Sequence, residues 1–78
     1  MHYIYIVECS DKTLYTGYTN NLEKRIKAHN GNRGAKYTRG RTPVILKYFE
    51  IFENKSDAIK REIQIKKMKK SKKQLLFK

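Results

Sequence analysis

The chain has 78 residues, with 19 Lys and Arg against 7 Asp and Glu, a formal net charge of +12, and 38% hydrophobic content. That is enough apolar material for one small folded domain with a thin core, so a single domain over residues 1–78 is expected and a second one is excluded. No apolar run approaches the roughly 20 residues of a membrane span, and the Met1-His2-Tyr3 start lacks the basic and apolar segments of a signal peptide, so no membrane partner is expected.

The first segment alternates, with Tyr3, Tyr5, Val7 and Cys9 on one face of a strand and Ile4, Ile6 and Glu8 on the other. A second segment separates Thr13, Tyr15, Gly17 and Thr19 from Leu14, Thr16 and Tyr18. Ser10-Asp11-Lys12 supplies turn-forming side chains, and a three-residue loop pairs Cys9 with Thr13 and so Tyr5 with Gly17. Tyr5 and Tyr15 then share a face on diagonal positions, roughly 7–8 Å apart at Cα. Gly17 opposite Tyr5 either leaves room for a substrate at the sheet or eases the bend into the next element. The lone Cys9 reads as a small core residue, and a chain without a possible intramolecular disulfide is expected in a reducing, cytoplasmic setting.

A helix is expected to open at Thr19-Asn20-Asn21, whose side-chain oxygens cap a first turn, with Glu23 at its positive end and Leu22 and Ile26 on the buried stripe. Arg25 and His29, four apart, share a face beside that stripe. Each has an ordinary reading, a solvated arginine and a cation near the negative end of the helix. Asn30-Gly31-Asn32 ends the helix, because Gly and Asn accept the left-handed conformation. The loop that follows is punctuated by Gly34, Gly40 and Pro43, and its backbone amides, Thr hydroxyls and cations suit phosphates. Tyr37 either stacks on an unpaired base or packs the loop onto the core.

Val44 to Phe52 reads as a third strand, carrying Val44, Leu46 and Tyr48. Asn54 to Asp57 then caps a helix in which Ala58, Ile59, Ile63 and Ile65 recur at helical spacing, and a short last helix is expected from Ser71 with Leu75, Leu76 and Phe77. Glu62 falls inside the apolar arc of the second helix, about 60° from Ile59. A carboxylate there needs a partner: Arg25 or a neighbouring lysine in a salt bridge, or a hard cation such as Mg²⁺.

The positive charge gathers in two places, Arg33, Lys36, Arg39 and Arg41 in the loop and ten Lys or Arg from Lys55 to Lys78. A domain so charged is built to meet a polyanion, with nucleic acid the leading partner; a membrane surface is the weaker reading because no large aromatic face accompanies the lysines. The candidate contacts are Arg33, Lys36, Tyr37, Arg39 and Arg41, with Lys66 and Lys69 behind them.

The ordered set Tyr3-Ile4-Tyr5, Tyr15-Thr16-Gly17, Arg25, His29 and Arg61-Glu62, with Gly34-Ala35-Lys36-Tyr37-Thr38-Arg39-Gly40 between, resembles the catalytic pattern of the GIY-YIG nuclease superfamily, in particular its small single-domain bacterial branch. Tyr3 stands where the first triplet of that name has glycine and Thr16 where the second has isoleucine. Many members also carry an asparagine beyond the metal-binding helix, whereas none follows Asn54 here. The resemblance implies an α+β fold, a three-stranded antiparallel sheet flanked by helices, and hydrolysis of a phosphodiester with one divalent metal, Mg²⁺ or Mn²⁺. Carried over by position, it makes Tyr5 the general base or its relay, Tyr15 a positioning group, Arg25 the holder of the scissile phosphate, His29 a support of the proton network and Glu62 the metal ligand. A free Tyr has a pKa near 10, and nearby cations and the metal are expected to favour the ionised Tyr5.

Two functions are therefore open. One is a metal-dependent endonuclease acting on DNA, on branched, damaged or single-stranded forms in repair or processing. The other is a non-catalytic nucleic-acid-binding module, for DNA or RNA, using the basic loop and the C-terminal lysines.

Overall fold

The computed structural model describes residues 1–78. A hairpin comes first: β1 (His2–Glu8) and β2 (Leu14–Thr19), antiparallel, with Tyr5 opposite Gly17 and Val7 opposite Tyr15. The loop closes through Cys9 N–H to Thr13 C=O at 2.8 Å and Lys12 N–H to Cys9 C=O at 2.9 Å, and Lys12 takes the left-handed conformation (φ 71°) that a three-residue hairpin loop requires. The parity that puts both tyrosines on one face follows from this loop.

Helix α1 (Leu22–Asn30) opens on Asn21, whose side chain accepts from Lys24 N–H at 3.1 Å, with Glu23 in the first turn. It ends at Gly31, which is not left-handed (φ −90°); that conformation falls one residue later, on Asn32 (φ 58°). The loop then makes a single 3₁₀ turn over Lys36–Thr38 before β3 (Ile45–Phe52), the other neighbour of β1, giving a sheet of order β2-β1-β3. Helices α2 (Lys55–Lys66) and α3 (Lys70–Leu75) complete the chain, α2 capped by the Asn54 side chain on Asp57 N–H at 3.0 Å. The architecture is α+β, a three-stranded antiparallel sheet with helices on both faces.

Strand alternation divides the core in two. Ile4 and Ile6 pack with Ala58 and Ile65 of α2, joined by Tyr18, Tyr48, Met68, Leu76 and Phe77. On the opposite face Tyr5, Val7, Cys9 and Val44 pack with Tyr15 and with Leu22 and Ile26 of α1. The third strand departs from simple alternation. Ile6 pairs with Tyr48 but Val7 with Leu46, so Lys47 bulges out, and Leu46 and Tyr48 join opposite clusters instead of one. Val44 lies just ahead of the strand, where the Asn30 amide binds both its N–H (2.6 Å) and its C=O (3.2 Å). In α2, Ala58 and Ile65 are buried while Ile63 is exposed, so the helical stripe is narrower than its spacing suggests.

Thr16 Oγ is buried without a hydrogen-bond partner, on the face covered by α2. An unsatisfied buried hydroxyl costs about 1–3 kcal/mol, so Thr16→Val, equal in shape, is expected to hold or raise stability by about 1 kcal/mol. A thermal melt decides this; a clear drop in melting temperature would mean that the hydroxyl is bonded in solution.

Candidate active site

Tyr5 is fully buried and its phenol reaches across β2, over Gly17. A Cβ on Gly17 would lie 2.6 Å from Tyr5 Cζ, so the space this glycine opens is filled by the phenol itself, not by a substrate. The Tyr5 oxygen meets His29 Nε2 at 2.8 Å and accepts from Arg25 Nε–H at 3.3 Å. Helical spacing puts Arg25 and His29 on the α1 face turned to the sheet, next to the Leu22 and Ile26 stripe that seats the helix. Tyr15 stands edge-on to His29, ring centres 5.5 Å apart, and 6.5 Å from Tyr5. These four side chains therefore share one face.

Their environment sets their charge. Burial pushes the Tyr5 phenol up to about 12, outweighing the Arg25 hydrogen bond and charge that pull it down, while Tyr15 and Glu62 add to the rise. The expectation that surrounding cations ionise Tyr5 is thus reversed in the protein alone: desolvation exceeds their effect, and the phenol keeps its proton at neutral pH. His29 is not a helix-end cation. It is fully buried, and desolvation, then the Arg25 charge, hold its pKa below the usual 6.5, so it is neutral. None of the four ion pairs of the protein involves Arg25, whose guanidinium is held more firmly protonated by the Tyr5 hydrogen bond.

Glu62 lies on α2, whose Ala58 and Ile65 pack on the other face of the sheet, and its charge is felt at Tyr5. Its carboxylate is 15% exposed and pairs with Lys66 at 3.4 Å, not with Arg25; the Lys66 ammonium in turn stands 5.9 Å from the Tyr15 ring centre, linking the two. Mg²⁺ is commonly held by one or two carboxylates plus waters and substrate oxygens, and a shielded carboxylate beside the phenol cluster fits that donor type. No group of three or more His, Cys, Asp or Glu side chains gathers anywhere, so the protein offers no ready-made multi-ligand cage, and Glu62 is the donor the site's position suggests.

The basic loop divides. Arg33, Lys36 and Arg39 are exposed and outside every ion pair, as is Lys69 ahead of α3. Arg41 is tied to Asp11 at 2.9 Å and lies 4.5 Å over the Tyr37 ring. Tyr37 stacks on Tyr15, centres 5.8 Å apart at 23°, and keeps 41% of its surface exposed, so it packs on the site's own tyrosine rather than the apolar core. Thr38 departs from the expectation that the loop hydroxyls face phosphates: it is fully buried and its Oγ meets His29 Nδ1 at 2.8 Å. Gly34 is pressed against the same imidazole. Both sit in the stretch of residues 34–40, yet no local pattern reveals that they turn inward. The largest surface hollow, about 940 Å³, lies elsewhere, between α1 and β3 by Leu22, Ile26, Phe49 and Ile51.

The neutral His29 carries a pH signature. Because its folded pKa lies below the unfolded value of 6.5, the unfolded chain binds more protons, so the stability it contributes is complete above about 6.5 and is lost as pH falls toward the depressed folded pKa. The contribution of Asp11, also lowered, is complete above its ordinary 3.8 and is lost only below it, outside this window. Melts of the wild type and of His29→Gln between about pH 8 and 5 are expected to converge on acidification. Parallel curves would show that His29 titrates normally.

A sheet hairpin and a following helix that converge two tyrosines, an arginine and a histidine, with a carboxylate on a later helix, make the frame that the sequence resemblance implies. The profile of the GIY-YIG catalytic domain matches residues 1–74, and the chain belongs to that family. It is similar to a UPF0213 protein of Clostridium perfringens, 64% identical over 94% of this chain and 78% of that protein, and to one of Halobacterium salinarum, 52% identical over 99% and 100%. Among solved structures it is similar to the solution NMR structure of the UPF0213 protein BH0048 from Bacillus halodurans, with 45% identity, a TM-score of 0.62, and coverage of 96% of this chain and 80% of that one.

Proposed function

We propose that this chain is an endonuclease that hydrolyses phosphodiester bonds in DNA with a divalent cation, Mg²⁺ or Mn²⁺, at Glu62. The observation that carries the reading is the Tyr5 oxygen set between Arg25 Nε and His29 Nε2. A phenol at about 12 is a poor base by itself, but with a neutral imidazole 2.8 Å away it takes a proton from the attacking water as its own passes to His29, once substrate binding brings that water to an oxygen that is covered in the free chain. The water oxygen bonds to phosphorus, one ester oxygen departs and is protonated from solvent. Arg25, without a carboxylate partner, binds the phosphate oxygens whose negative charge grows in the transition state. The Tyr15 ring, edge-on to His29, holds the imidazole and the water in place. Glu62 would hold the cation, which when bound would supply Lewis-acid stabilisation of the phosphate.

Arg33, Lys36 and Arg39 suit the flanking phosphates, Lys66 and Lys69 extend the cationic surface, and the half-open Tyr37 with its Arg41 suits an unpaired base. Damaged, branched or single-stranded DNA is thus the substrate class the surface favours, with repair or processing in the cytoplasm as its setting.

The test is cleavage of duplex, single-stranded and branched DNA with Mg²⁺ or Mn²⁺ beside binding at increasing salt. Metal-dependent cuts are expected, with affinity falling about 10³- to 10⁵-fold between about 50 and 200 mM salt if some 6–10 phosphates are neutralised. A folded protein that binds with this salt dependence and cuts none of these forms is a nucleic-acid-binding module instead.

A further inference from the structure

The buried hydrogen-bond chain behind Tyr5 has only one arrangement of protons that satisfies every member. Thr38 Oγ lies 2.9 Å from Ala35 C=O and 2.8 Å from His29 Nδ1. The Ala35 carbonyl can only accept, so the single hydroxyl proton of Thr38 points there and its oxygen must accept from the imidazole. Nδ1 therefore carries the proton and Nε2 is bare. At the other end, Arg25 Nε–H donates to the Tyr5 oxygen, and the one place left for the phenol proton is His29 Nε2 at 2.8 Å. The opposite tautomer fails at the Tyr5 end, where it would leave two donors, Nε2–H and Arg25 Nε–H, facing the Tyr5 oxygen while the buried phenol proton had no acceptor; at the other end it would cost the hydroxyl bond to Ala35, leaving that carbonyl the Thr38 N–H alone.

We infer that Thr38 is a positioning residue that sets the tautomer of His29, holding Nδ1 protonated so that Nε2 stays open to the Tyr5 proton. The part that concerns cleavage rests on the nuclease reading above; the tautomer itself does not. Thr38 touches neither water nor phosphate in that scheme and acts only through the imidazole, the second partner that defines which nitrogen of a histidine is available. Its backbone is held in the same place independently of the hydroxyl, since Thr38 N–H also donates to Ala35 C=O at 3.0 Å and Arg41 N–H to Thr38 C=O at 3.1 Å. Removing the hydroxyl thus frees the tautomer while keeping the turn.

The experiment is ¹⁵N NMR of the His29 ring in the intact chain, with Thr38→Val and Thr38→Ser, beside steady-state cleavage. In the wild type Nδ1 is expected to be the protonated nitrogen and Nε2 the bare one, and this measurement needs no variant. In Thr38→Val the proton population is expected to move toward Nε2, with kcat down about 10- to 100-fold and KM within about twofold. Thr38→Ser, which keeps the hydroxyl, is expected to restore both. A wild-type His29 protonated on Nε2, a Thr38→Val ring that keeps the wild-type pattern, or a Thr38→Ser as impaired as Thr38→Val would each overturn the inference. A wild type inert on every DNA form removes the nuclease reading, and the ring spectra then decide the tautomer by themselves.

Discussion

Glu62→Gln is expected to abolish metal-dependent cleavage while the chain stays folded and binds DNA as well as or better than before. The carboxylate sits within the apolar arc of α2, 15% exposed, and its one partner is Lys66 at 3.4 Å, four residues on and half exposed. Pairs of this kind stabilise a helix by only about 0.3–0.5 kcal/mol, so neutralising Glu62 costs little stability, and Gln retains the side-chain volume. The chemical loss is of another order, because an amide gives the cation no charge. Binding rises or holds, since a negative charge leaves a chain of net +12. Arg25→Ala makes the graded comparison: it removes one transition-state partner and is expected to cost about 10²–10³ in rate. A folded Glu62→Gln protein that cuts like the wild type would take the metal role away from this residue.

Much of this site can be read from local rules, and the residues show where those rules stop. The three-residue loop Ser10-Asp11-Lys12 sets the parity of the hairpin, and that parity alone brings Tyr5 opposite Gly17 and onto the face of Tyr15. Spacing of four residues carries Arg25 and His29 to the same place, and a 60° offset predicts the shielded position of Glu62. Charge state was not legible, because it depends on what covers the group: the cations near Tyr5 are real, but burial overrides them. Nor was the Lys47 bulge, which sends Leu46 and Tyr48 to opposite cores. The loop hid most. Its lysines and arginines suggest a surface that only meets phosphate, yet Asn30 on Val44, Arg41 on Asp11 and Thr38 on His29 fasten it inward, contacts that span 9 to 30 residues.

That inward fastening gives Gly34→Ala the second large expected effect, a loss of both stability and cleavage. A Cβ at this position would lie 2.7 Å from His29 Cγ and 2.8 Å from His29 Cα, far inside ordinary contact. The ring cannot swing aside, since both its nitrogens are bonded and it is fully buried, and the Cα belongs to the last turn of α1. The loop cannot lift freely either, because Ser10 N–H holds Arg41 C=O at 2.7 Å and Asn30 holds Val44. Overpacking of this sort costs about 1–3 kcal/mol, and in a domain of this size each kcal/mol lowers the melting temperature by roughly 4–8 °C. Whichever element yields, the 2.8 Å approach of His29 Nε2 to the Tyr5 oxygen is lost, and cleavage goes with it. Gly40→Ala separates backbone strain from this collision. Its φ of +75° disfavours a side chain, but nothing lies within 4 Å of the added methyl, so it is expected to lose about 1–2 kcal/mol while the His29 ring signals stay in place. If Gly34→Ala melted and cut like the wild type, or disturbed the His29 signals no more than Gly40→Ala does, the loop would not be the wall that holds the imidazole against Tyr5.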